Sequence, residues 1–337
     1  MASRRLTIAV DAMGGDHGPT VTVPASLDAL ARERDLRIVL VGLADTLRPL
    51  LADAAQFGER ISVREATQVV TMDERPQDAL RKKKDSSMRV AIDMVKAGEA
   101  DACVSAGNTG ALMATARFVL KTVDGIDRPA IISRIRARHG HTHMLDLGAN
   151  SECSAEHLYQ FAVMGSVVAS DMHGISNPKV GILNIGEEET KGDGVVQEAA
   201  RLLSASKLNY VGFVEGNDIF SGEVDVVVTD GFTGNVALKS MEGLANMLVG
   251  AIKTEYTRNP LRYIGALASW PVLRSLRREF DPRTYNGASM VGLTGVVIKS
   301  HGSADALSFG NAIRVALIEA QKGVPTQITN LLRSQVQ

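Results

Sequence analysis

Short apolar runs that end in a glycine-bearing polar turn recur six times along this chain of 337 residues. The first run, residues 6–10, leads into Asp11-Ala-Met-Gly-Gly-Asp-His17. A helical pattern follows most of these turns, and alternating strands and helices are typical of a parallel sheet covered by helices. The pattern therefore predicts an α/β fold with a mostly parallel sheet. The other runs lie near residues 101, 143, 180, 226 and 296.

The polar turns are candidates for a ligand site. Open α/β sheets bind ligands beyond the carboxyl ends of their strands. Adjacent glycines such as Gly14 and Gly15 let the backbone come close to a ligand. We therefore expect all six turns to lie on one edge of the sheet and to share a cleft. Taken alone, each turn is equally consistent with a tight connection that carries a polar capping residue.

Composition narrows the class of protein. A net charge of −1 gives no support for general nucleic-acid binding. No apolar stretch approaches the roughly 18 residues of a membrane span, and the first apolar run stops at Asp11, too early for the core of a signal peptide. The two cysteines, Cys103 and Cys153, have no paired spacing. We therefore expect a protein of the reducing cytoplasm.

Five motifs, taken in their order along the chain, resemble one family, the bacterial phosphate acyltransferases of phospholipid synthesis. The resemblance covers about residues 6–320. It implies transfer of an acyl group from acyl carrier protein to inorganic phosphate. The acyl phosphate would then feed a separate membrane glycerol-3-phosphate acyltransferase. The motifs lie at residues 11–16, 105–111, 183–192, 230–235 and 299–305.

The same resemblance implies a Rossmann-like αβα sandwich, like that of isocitrate and isopropylmalate dehydrogenases and of phosphotransacetylase. It also implies a homodimer that associates peripherally with the inner face of the cell membrane. The length suits a single large α/β domain over residues 1–337, with two lobes as the alternative. Residues 256–287 show no strand pattern, so we expect them to leave the sheet as a helical, apolar excursion.

Acyl transfer from a thioester to phosphate needs donors for the carbonyl oxygen as negative charge develops on it. It requires no metal and no organic cofactor. We expect Lys191 to be a cation of the active site that pairs with the charge of phosphate, although a solvated ion pair with the preceding acids is the alternative. Asn235 is placed to donate to the oxyanion or to cap a helix. His17 and His301 are candidates for proton transfer or phosphate contact, or for structural roles in their turns.

Phosphate is expected where Ser105-Ala-Gly-Asn-Thr-Gly110 opens a helix, because the free N–H groups of a helix start bind anions. The alternative for Asn108 and Thr109 is N-capping. A covalent acyl-enzyme on Ser105 or Cys103 is the minor alternative, since no histidine base is adjacent. The predicted substrate- or phosphate-binding residues are Asp11, Gly14, Gly15, Ser105, Gly107, Asn108, Thr109, Gly110, Asn150, Gly186 and Gly234.

Three further segments have a predicted role. The basic run Arg81, Lys82, Lys83 and Lys84 is expected to dock the acidic acyl carrier protein, with a solvated helix face as the alternative. The apolar residues Ile264, Leu267 and Trp270 stand between arginines and are expected to touch the membrane, with a dimer interface as the alternative. Three alternating histidines over residues 139–143 are expected to form an exposed polar turn, with no metal site.

Three other functions remain open from the sequence. A phosphotransacetylase-like enzyme would use acyl-CoA instead of acyl carrier protein. A dinucleotide-dependent dehydrogenase could share the topology, although the chain has no G-x-G-x-x-G fingerprint. A non-catalytic scaffold for lipid-synthesis enzymes would suit the apolar excursion but would not need six polar turns.

Overall fold

The computed structural model describes residues 5–336, so both ends of the predicted span 1–337 lie outside the described residues. The strands are β1 (Leu6–Asp11), β2 (Leu36–Gly42), β3 (Ile61–Glu65), β4 (Ala102–Ser105), β5 (Ala130–Arg136), β6 (His141–Leu145), β7 (Lys179–Leu183), β8 (Asn209–Val214), β9 (Val226–Val228), β10 (Ala288–Val291) and β11 (Val296–Lys299).

The helices over the same residues alternate with most of the strands. Short 3-10 segments lie at Ala52–Arg60, Asp218–Phe220 and Pro282–Tyr285. The α-helices are α1 (Pro19–Arg32), α2 (Ala44–Leu50), α3 (Pro76–Lys82), α4 (Ser87–Lys96), α5 (Thr109–Leu120), α6 (Ala155–His173), α7 (Gly194–Ser204), α8 (Gly231–Thr257), α9 (Pro260–Ala268), α10 (Trp270–Glu279), α11 (Ala306–Lys322) and α12 (Val324–Val336).

The strands form one sheet in the order β3-β2-β1-β4-β11-β10-β5-β6-β9-β7-β8. Within residues 5–336, seven of the ten strand pairings are parallel, which confirms the predicted mostly parallel sheet. The three antiparallel pairings are consecutive and join β11 to β10, β10 to β5, and β5 to β6. Three reversals in a row leave β6, β7 and β9 running opposite to β1, β4 and β11.

The expectation that all six polar turns share one edge of the sheet is therefore wrong. The turns after β1, β4 and β11 lie on one edge, and those after β6, β7 and β9 lie on the other. The error has a local cause, because β5 and β10 do not read as buried strands. Strand β10 has four residues, and β5 mixes apolar residues with Ser133, Arg134 and Arg136. These two strands reverse the direction of the sheet.

The central strands are buried on both faces. Cys103 of β4 and Val297 of β11 pack on the face covered by α4 and α5, in one hydrophobic cluster. Side chains alternate across a strand, so Ser105 and Lys299, two residues later, belong to that same face. Their backbones are in register with each other, and Ser105 is in register with Asp11 of β1. The fold thus sets Asp11, Ser105 and Lys299 in one row at the carboxyl ends of adjacent strands.

Residues 256–287 form a helical excursion, as predicted from the sequence. They hold the end of α8, then α9, α10 and the 3-10 segment Pro282–Tyr285. Large apolar side chains on these helices are exposed, among them Leu261 at 78% and Ile264 at 62%. In the part of the chain that the structure describes, no helix is long and apolar enough to cross a membrane.

One smaller expectation needs correction. The exposed turn expected for residues 139–143 is wrong for His141 and His143, which belong to β6, where His143 is buried. The apolar residues after His143 form a strand, and that strand already begins at His141. Across residues 5–336 no group of three or more His, Cys, Asp and Glu side chains is arranged to hold a metal ion.

Candidate functional site

The carboxyl ends of β1, β4 and β11 make up what we call the first cluster. At its base the Ser105 hydroxyl donates to Asp11 Oδ2 at 2.6 Å and accepts the N–H of Gly107 at 3.0 Å. Both side chains are buried. Burial raises the pKa of the Asp11 carboxyl, and the hydrogen bond from Ser105 opposes that rise. The hydrogen bond between Asp11 and Ser105, both predicted site residues, therefore connects the turn after β1 to the turn after β4.

The glycines of the first cluster permit close packing of three turns. A Cβ on Gly14 would lie 2.5 Å from Asp11 Oδ2 and 2.8 Å from the nitrogen of Gly107. Gly15 has a φ of +90°, a conformation that side chains disfavour. The N–H of Asp16 donates to the carbonyl of Gly302 at 2.9 Å. The turns after β1, β4 and β11 thus form one continuous backbone surface.

Asn108 caps helix α5, which was the alternative left open by the sequence. Its Oδ1 accepts the N–H of Ala111 at 2.9 Å, and its Nδ2 donates to the carbonyls of Met72 at 2.7 Å and Glu74 at 3.1 Å. The amide is therefore fully used within the protein. The first N–H groups of a helix have no partner inside the helix. An anion at this start would therefore meet the backbone of Thr109 and Gly110, both exposed.

Lys299 ends the row of the first cluster and was not among the predicted site residues. The residue is only 9% exposed, and its Nζ donates to the carbonyls of Ala106, at 3.2 Å, and of Ser300. Burial lowers its pKa to about 8. A lysine at the end of the apolar run Val296-Val-Ile-Lys299 is the sequence signal that could have identified it.

The two predicted histidines lie on the solvent side of the first cluster. His301 is exposed, and its Nδ1 lies 2.9 Å from Ser303 Oγ. The backbone N–H of His301 donates to Asn286 Oδ1 at 2.9 Å. His17 is exposed as well, and its carbonyl accepts from the Thr20 hydroxyl at 2.7 Å. Both imidazoles remain accessible to a ligand.

The carboxyl ends of β6, β7 and β9 make up the second cluster, which is organised around buried Asp146. Asn150 donates to Asp146 Oδ2 through its backbone N–H at 2.7 Å and through its Nδ2 at 2.9 Å. The same Nδ2 donates to the carbonyl of Pro129 at 2.8 Å. The carbonyl of Asn150 accepts the N–H of Gly231 at 2.7 Å. Asn150, predicted to bind phosphate, is thus engaged in fixing the start of α8.

Helix α8 begins against this cluster. Its N-cap is Asp230, whose Oδ1 accepts the N–H of Thr233 at 2.9 Å, so the alternative that Asn235 caps the helix is wrong. A Cβ on Gly234 would lie 1.9 Å from the carbonyl oxygen of Asp146, so Gly234 allows close packing of the helix. Asn235 is exposed one turn into α8. Its amide is available for an oxyanion.

The loop after β7 carries Lys191. A Cβ on Gly186 would lie 2.7 Å from Glu188 Oε2 and 3.2 Å from Lys191 Cγ, so the lysine stem and this carboxylate both lie over Gly186. Lys191 itself is exposed. In the same loop, Asn184 Nδ2 is buried and has no acceptor among the described residues. A buried donor without a partner is rare in proteins, and Asn184 is a second site candidate that the sequence did not reveal.

Helix α8 links the two clusters. Lys239 follows Asn235 by four residues, on the same helix face and about 6 Å further along the axis. The charge of Lys239 is close enough to Lys299 to contribute to the lowered pKa of Lys299, while the carboxylates of Asp11 and Asp16 oppose it. Helix α8 therefore carries Asn235 at the second cluster and, one turn later, Lys239 within electrostatic range of the first cluster. The Lys239 ammonium group also pairs with Glu242 at 2.7 Å.

The covalent alternative finds little support in the cysteines. Burial raises the pKa of the Cys103 thiol, and the nearby Asp11 raises it further. Burial also raises the pKa of Cys153, to about 11. Because the thiolate is the reactive form, neither group is a ready nucleophile at neutral pH. What the site offers is a set of N–H donors and cations around two helix starts, which suits the binding of phosphate and the stabilisation of an oxyanion.

The predicted basic run is split by local ion pairs. Lys82 pairs with Asp78 at 2.8 Å and Lys83 with Glu74 at 3.1 Å, whereas Arg81 and Lys84 are exposed. The predicted membrane residues Ile264, Leu267 and Trp270 are 62%, 60% and 56% exposed.

Comparison with solved structures supports the fold. A phosphotransacetylase from Streptococcus pyogenes matches with a TM-score of 0.60 and 17% identity, over 94% of both chains. A branched-chain phosphotransacylase from Enterococcus faecalis matches with a TM-score of 0.57 and 14% identity, over 93% of this chain and 99% of that one. The expected likeness to the phosphotransacetylase fold is confirmed.

Comparison of sequences identifies the family. The family model described as "Fatty acid synthesis protein" matches residues 6–327. A curated phosphate acyltransferase from Alkalilimnicola ehrlichii is 59% identical over 98% of this chain and 96% of its own length. One from Methylococcus capsulatus is 59% identical over 96% and 95%. The chain therefore belongs to the fatty acid synthesis protein family, among relatives that carry the name phosphate acyltransferase, and it is an acyltransferase.

Proposed function

We propose that this chain transfers the acyl group of an acyl carrier protein thioester to inorganic phosphate, in a reversible reaction that supplies acyl phosphate for phospholipid synthesis. The observation that carries the proposal is that α8 starts at the second cluster, presents the exposed amide of Asn235 there, and brings Lys239 within electrostatic range of Lys299 in the first cluster. The name of the curated relatives supports an acyl group and phosphate as the substrates.

The proposed chemistry is direct attack without an acyl-enzyme. A phosphate oxygen adds to the thioester carbon, the carbonyl oxygen takes up negative charge, and the C–S bond then breaks to release the carrier thiolate. Asn235 and Lys191 stabilise the oxyanion from the second cluster. Phosphate lies against the backbone N–H groups of the first cluster, near Thr109 and Gly110. His17 and His301 contact phosphate or move protons at the rim.

We also propose where the carrier protein docks. Arg81 and Lys84 are exposed, and on the neighbouring helices Phe118 is 53% exposed between two cations. Arg89 Cζ lies 5.7 Å and Lys121 Nζ lies 4.8 Å from the Phe118 ring centre. Aromatic residues surrounded by positive charge are frequent anchors for acidic partners. This surface therefore fits the acidic acyl carrier protein.

The exposed apolar side chains of α8 to α10 fit two further parts of the proposal. The protein would lie in the cytoplasm, and Ile264, Leu267 and Trp270 would contact the inner face of the cell membrane. There the membrane glycerol-3-phosphate acyltransferase would take up the acyl phosphate. The apolar residues of α8 would form a homodimer interface, because an apolar patch of this extent is unusual on a monomer. The exposed apolar residues of α8 include Leu244, Met247, Leu248, Val249 and Ile252.

The second candidate function is the same transfer from acyl-CoA. The fold shared with phosphotransacetylases favours it, although that likeness concerns the fold alone. The carrier thiol is the difference between the two candidates, so turnover with each donor separates them.

The test is phosphate-dependent release of free acyl carrier protein from a long-chain acyl donor. We expect wild type to release the carrier, and Lys191→Ala and Asn235→Ala, both folded, to lose most of that activity. Lys179→Ala is the matched control, because Lys179 is an exposed lysine at the opposite end of β7. Full activity in both site variants would contradict the assignment of Lys191 and Asn235 to the active site. Absence of release with either donor would overturn the proposed function.

A further inference from the structure

Lys299 is a buried cation whose partners are backbone carbonyls. Its Nζ donates to the carbonyls of Ala106 and Ser300. An ammonium group has three N–H donors and a full charge, and carbonyl oxygens satisfy the donors without neutralising the charge. Burial of a charge is unfavourable unless an opposite charge compensates it. The two carbonyls take two of the three donors of Lys299, which leaves one donor at the floor of the first cluster, where Asp11 and Asp16 supply the nearby negative charge.

The fold brings charges of both signs to this lysine from two directions. Asp11 and Asp16 come from β1 and its turn, and Lys239 comes from α8. The Asp11 carboxyl is already bonded to the Ser105 hydroxyl and is itself buried. Lys239 adds a second positive charge within electrostatic range of Lys299, and its ammonium group also pairs with Glu242 at 2.7 Å.

The backbone around Lys299 belongs to the turn that opens α5. Ala106, whose carbonyl accepts from Lys299, lies two residues before the N-cap Asn108. The helix start supplies N–H groups without partners inside the helix, and the lysine supplies charge beside them. This combination of a helix start and a fixed cation is how proteins commonly hold a phosphate.

We propose that Lys299 binds the phosphate substrate at the first cluster, facing Lys239, so that Lys191 is left to act on the thioester from the second cluster. The inference rests on the proposed function. Phosphate bound here receives a charge-assisted hydrogen bond from the third N–H of Lys299 and lies next to the start of α5.

The binding has a pH dependence set by Lys299. Its pKa lies near 8, lowered by burial and by Lys239 and held up by Asp11 and Asp16. The cation is present below that pH and is lost above it. The KM for phosphate is therefore expected to rise about tenfold for each pH unit above 8 in wild type. In Lys299→Arg that rise should be absent, because a guanidinium stays charged.

The test compares Lys299→Met and Lys299→Arg with the control Lys179→Met. We expect Lys299→Met to raise the KM for phosphate at least about tenfold at pH 7, the loss of a charge-assisted hydrogen bond, with the KM for the acyl donor unchanged. Thermal unfolding supplies a readout without turnover. Inorganic phosphate should raise the Tm of wild type and of the control, but not that of Lys299→Met, against chloride at equal ionic strength.

The outcomes separate the inference from the proposed function. A folded Lys299→Met with a wild-type KM for phosphate and a wild-type rise in Tm overturns the inference. A wild type that phosphate stabilises but that releases no carrier overturns the function and leaves the phosphate site standing. Should Lys299→Met fail to fold, the flat pH profile of Lys299→Arg decides the matter.

Discussion

The hydroxyl of Ser105 donates to a carboxyl oxygen of Asp11 at 2.6 Å, across two neighbouring strands and with both side chains buried. The bond ties together the two turns that border the candidate phosphate site. Ser105 is also fully buried, which argues against it as a nucleophile because an acyl thioester could not reach its hydroxyl.

Ser105→Ala is therefore expected to affect stability more than chemistry. Loss of the donor leaves a buried carboxyl oxygen without its partner, which lowers the free energy of unfolding by about 1–3 kcal/mol. Phosphate-dependent turnover should persist at a reduced level, in contrast to Lys191→Ala. Chemical denaturation and carrier release measure the two effects, and Ser204→Ala, at the exposed end of α7, is a control. Complete loss of turnover in a stable Ser105→Ala would instead favour the acyl-serine intermediate.

Two glycines of α8 offer a matched comparison. A Cβ on Gly234 would lie 1.9 Å from the carbonyl of Asp146, whereas one on Gly243 would meet nothing within 4 Å. Gly234→Ala should destabilise the protein by several kcal/mol, and Gly243→Ala should stabilise it by about 1 kcal/mol through helix propensity. Thermal unfolding of both variants checks this. Equal stabilities would show that the start of α8 is not packed as described.

Glu319 gives the stability of the fold a pH dependence. The carboxyl is buried and accepts from the Ser289 hydroxyl at 2.8 Å, and burial raises its pKa to about 7. The folded state therefore keeps a proton that the unfolded state loses near pH 4.5, so this group's contribution to stability declines as pH rises towards 7.

Glu319→Gln removes that decline. Relative to wild type, its free energy of unfolding should gain on the order of 3 kcal/mol between pH 5 and pH 8, because an amide has no proton to lose. Denaturant titrations at both pH values measure the gain, and Glu65→Gln is an exposed control. A pH-independent difference between Glu319→Gln and wild type would contradict the assignment.

The exposed apolar residues of the excursion have two proposed roles, membrane contact and subunit contact, and one variant can distinguish them. Replacing Ile264, Leu267 and Trp270 together with serine should reduce co-sedimentation with anionic lipid vesicles severalfold, since binding scales with the apolar area buried. Turnover of a soluble acyl donor should not change. Analytical ultracentrifugation of the same variant tests the alternative, because a shift from dimer to monomer with unchanged vesicle binding would assign these residues to the subunit interface.

Local sequence patterns predicted most of the individual elements. Residues 6–10 and the run near residue 226 read as buried strands because they are mostly apolar, and both lie in the sheet. Strands β5 and β10 were missed because one is mixed with charged residues and the other is four residues long. The sequence pattern cannot give the direction of the later strands when β5 and β10, the strands that reverse the direction, are not recognised.

The site shows a similar division. The motifs located both helix starts, since glycines and polar residues at strand ends have few other uses. They did not show which side chains are engaged internally, so that Asn108 and Asn150, expected to meet phosphate, are used as a cap and a brace. They contain Lys299 and Asn184 but gave no reason to select either residue, because the roles of both depend on burial by residues distant in sequence.

The reversal of the sheet at β10 and β5 has a consequence for where the two substrates bind. If phosphate binds at the first cluster and the thioester at the second, the two substrates are held by different edges of the sheet. Helix α8, which starts at the second cluster and brings Lys239 within electrostatic range of the first, then sets the spacing between the two binding sites.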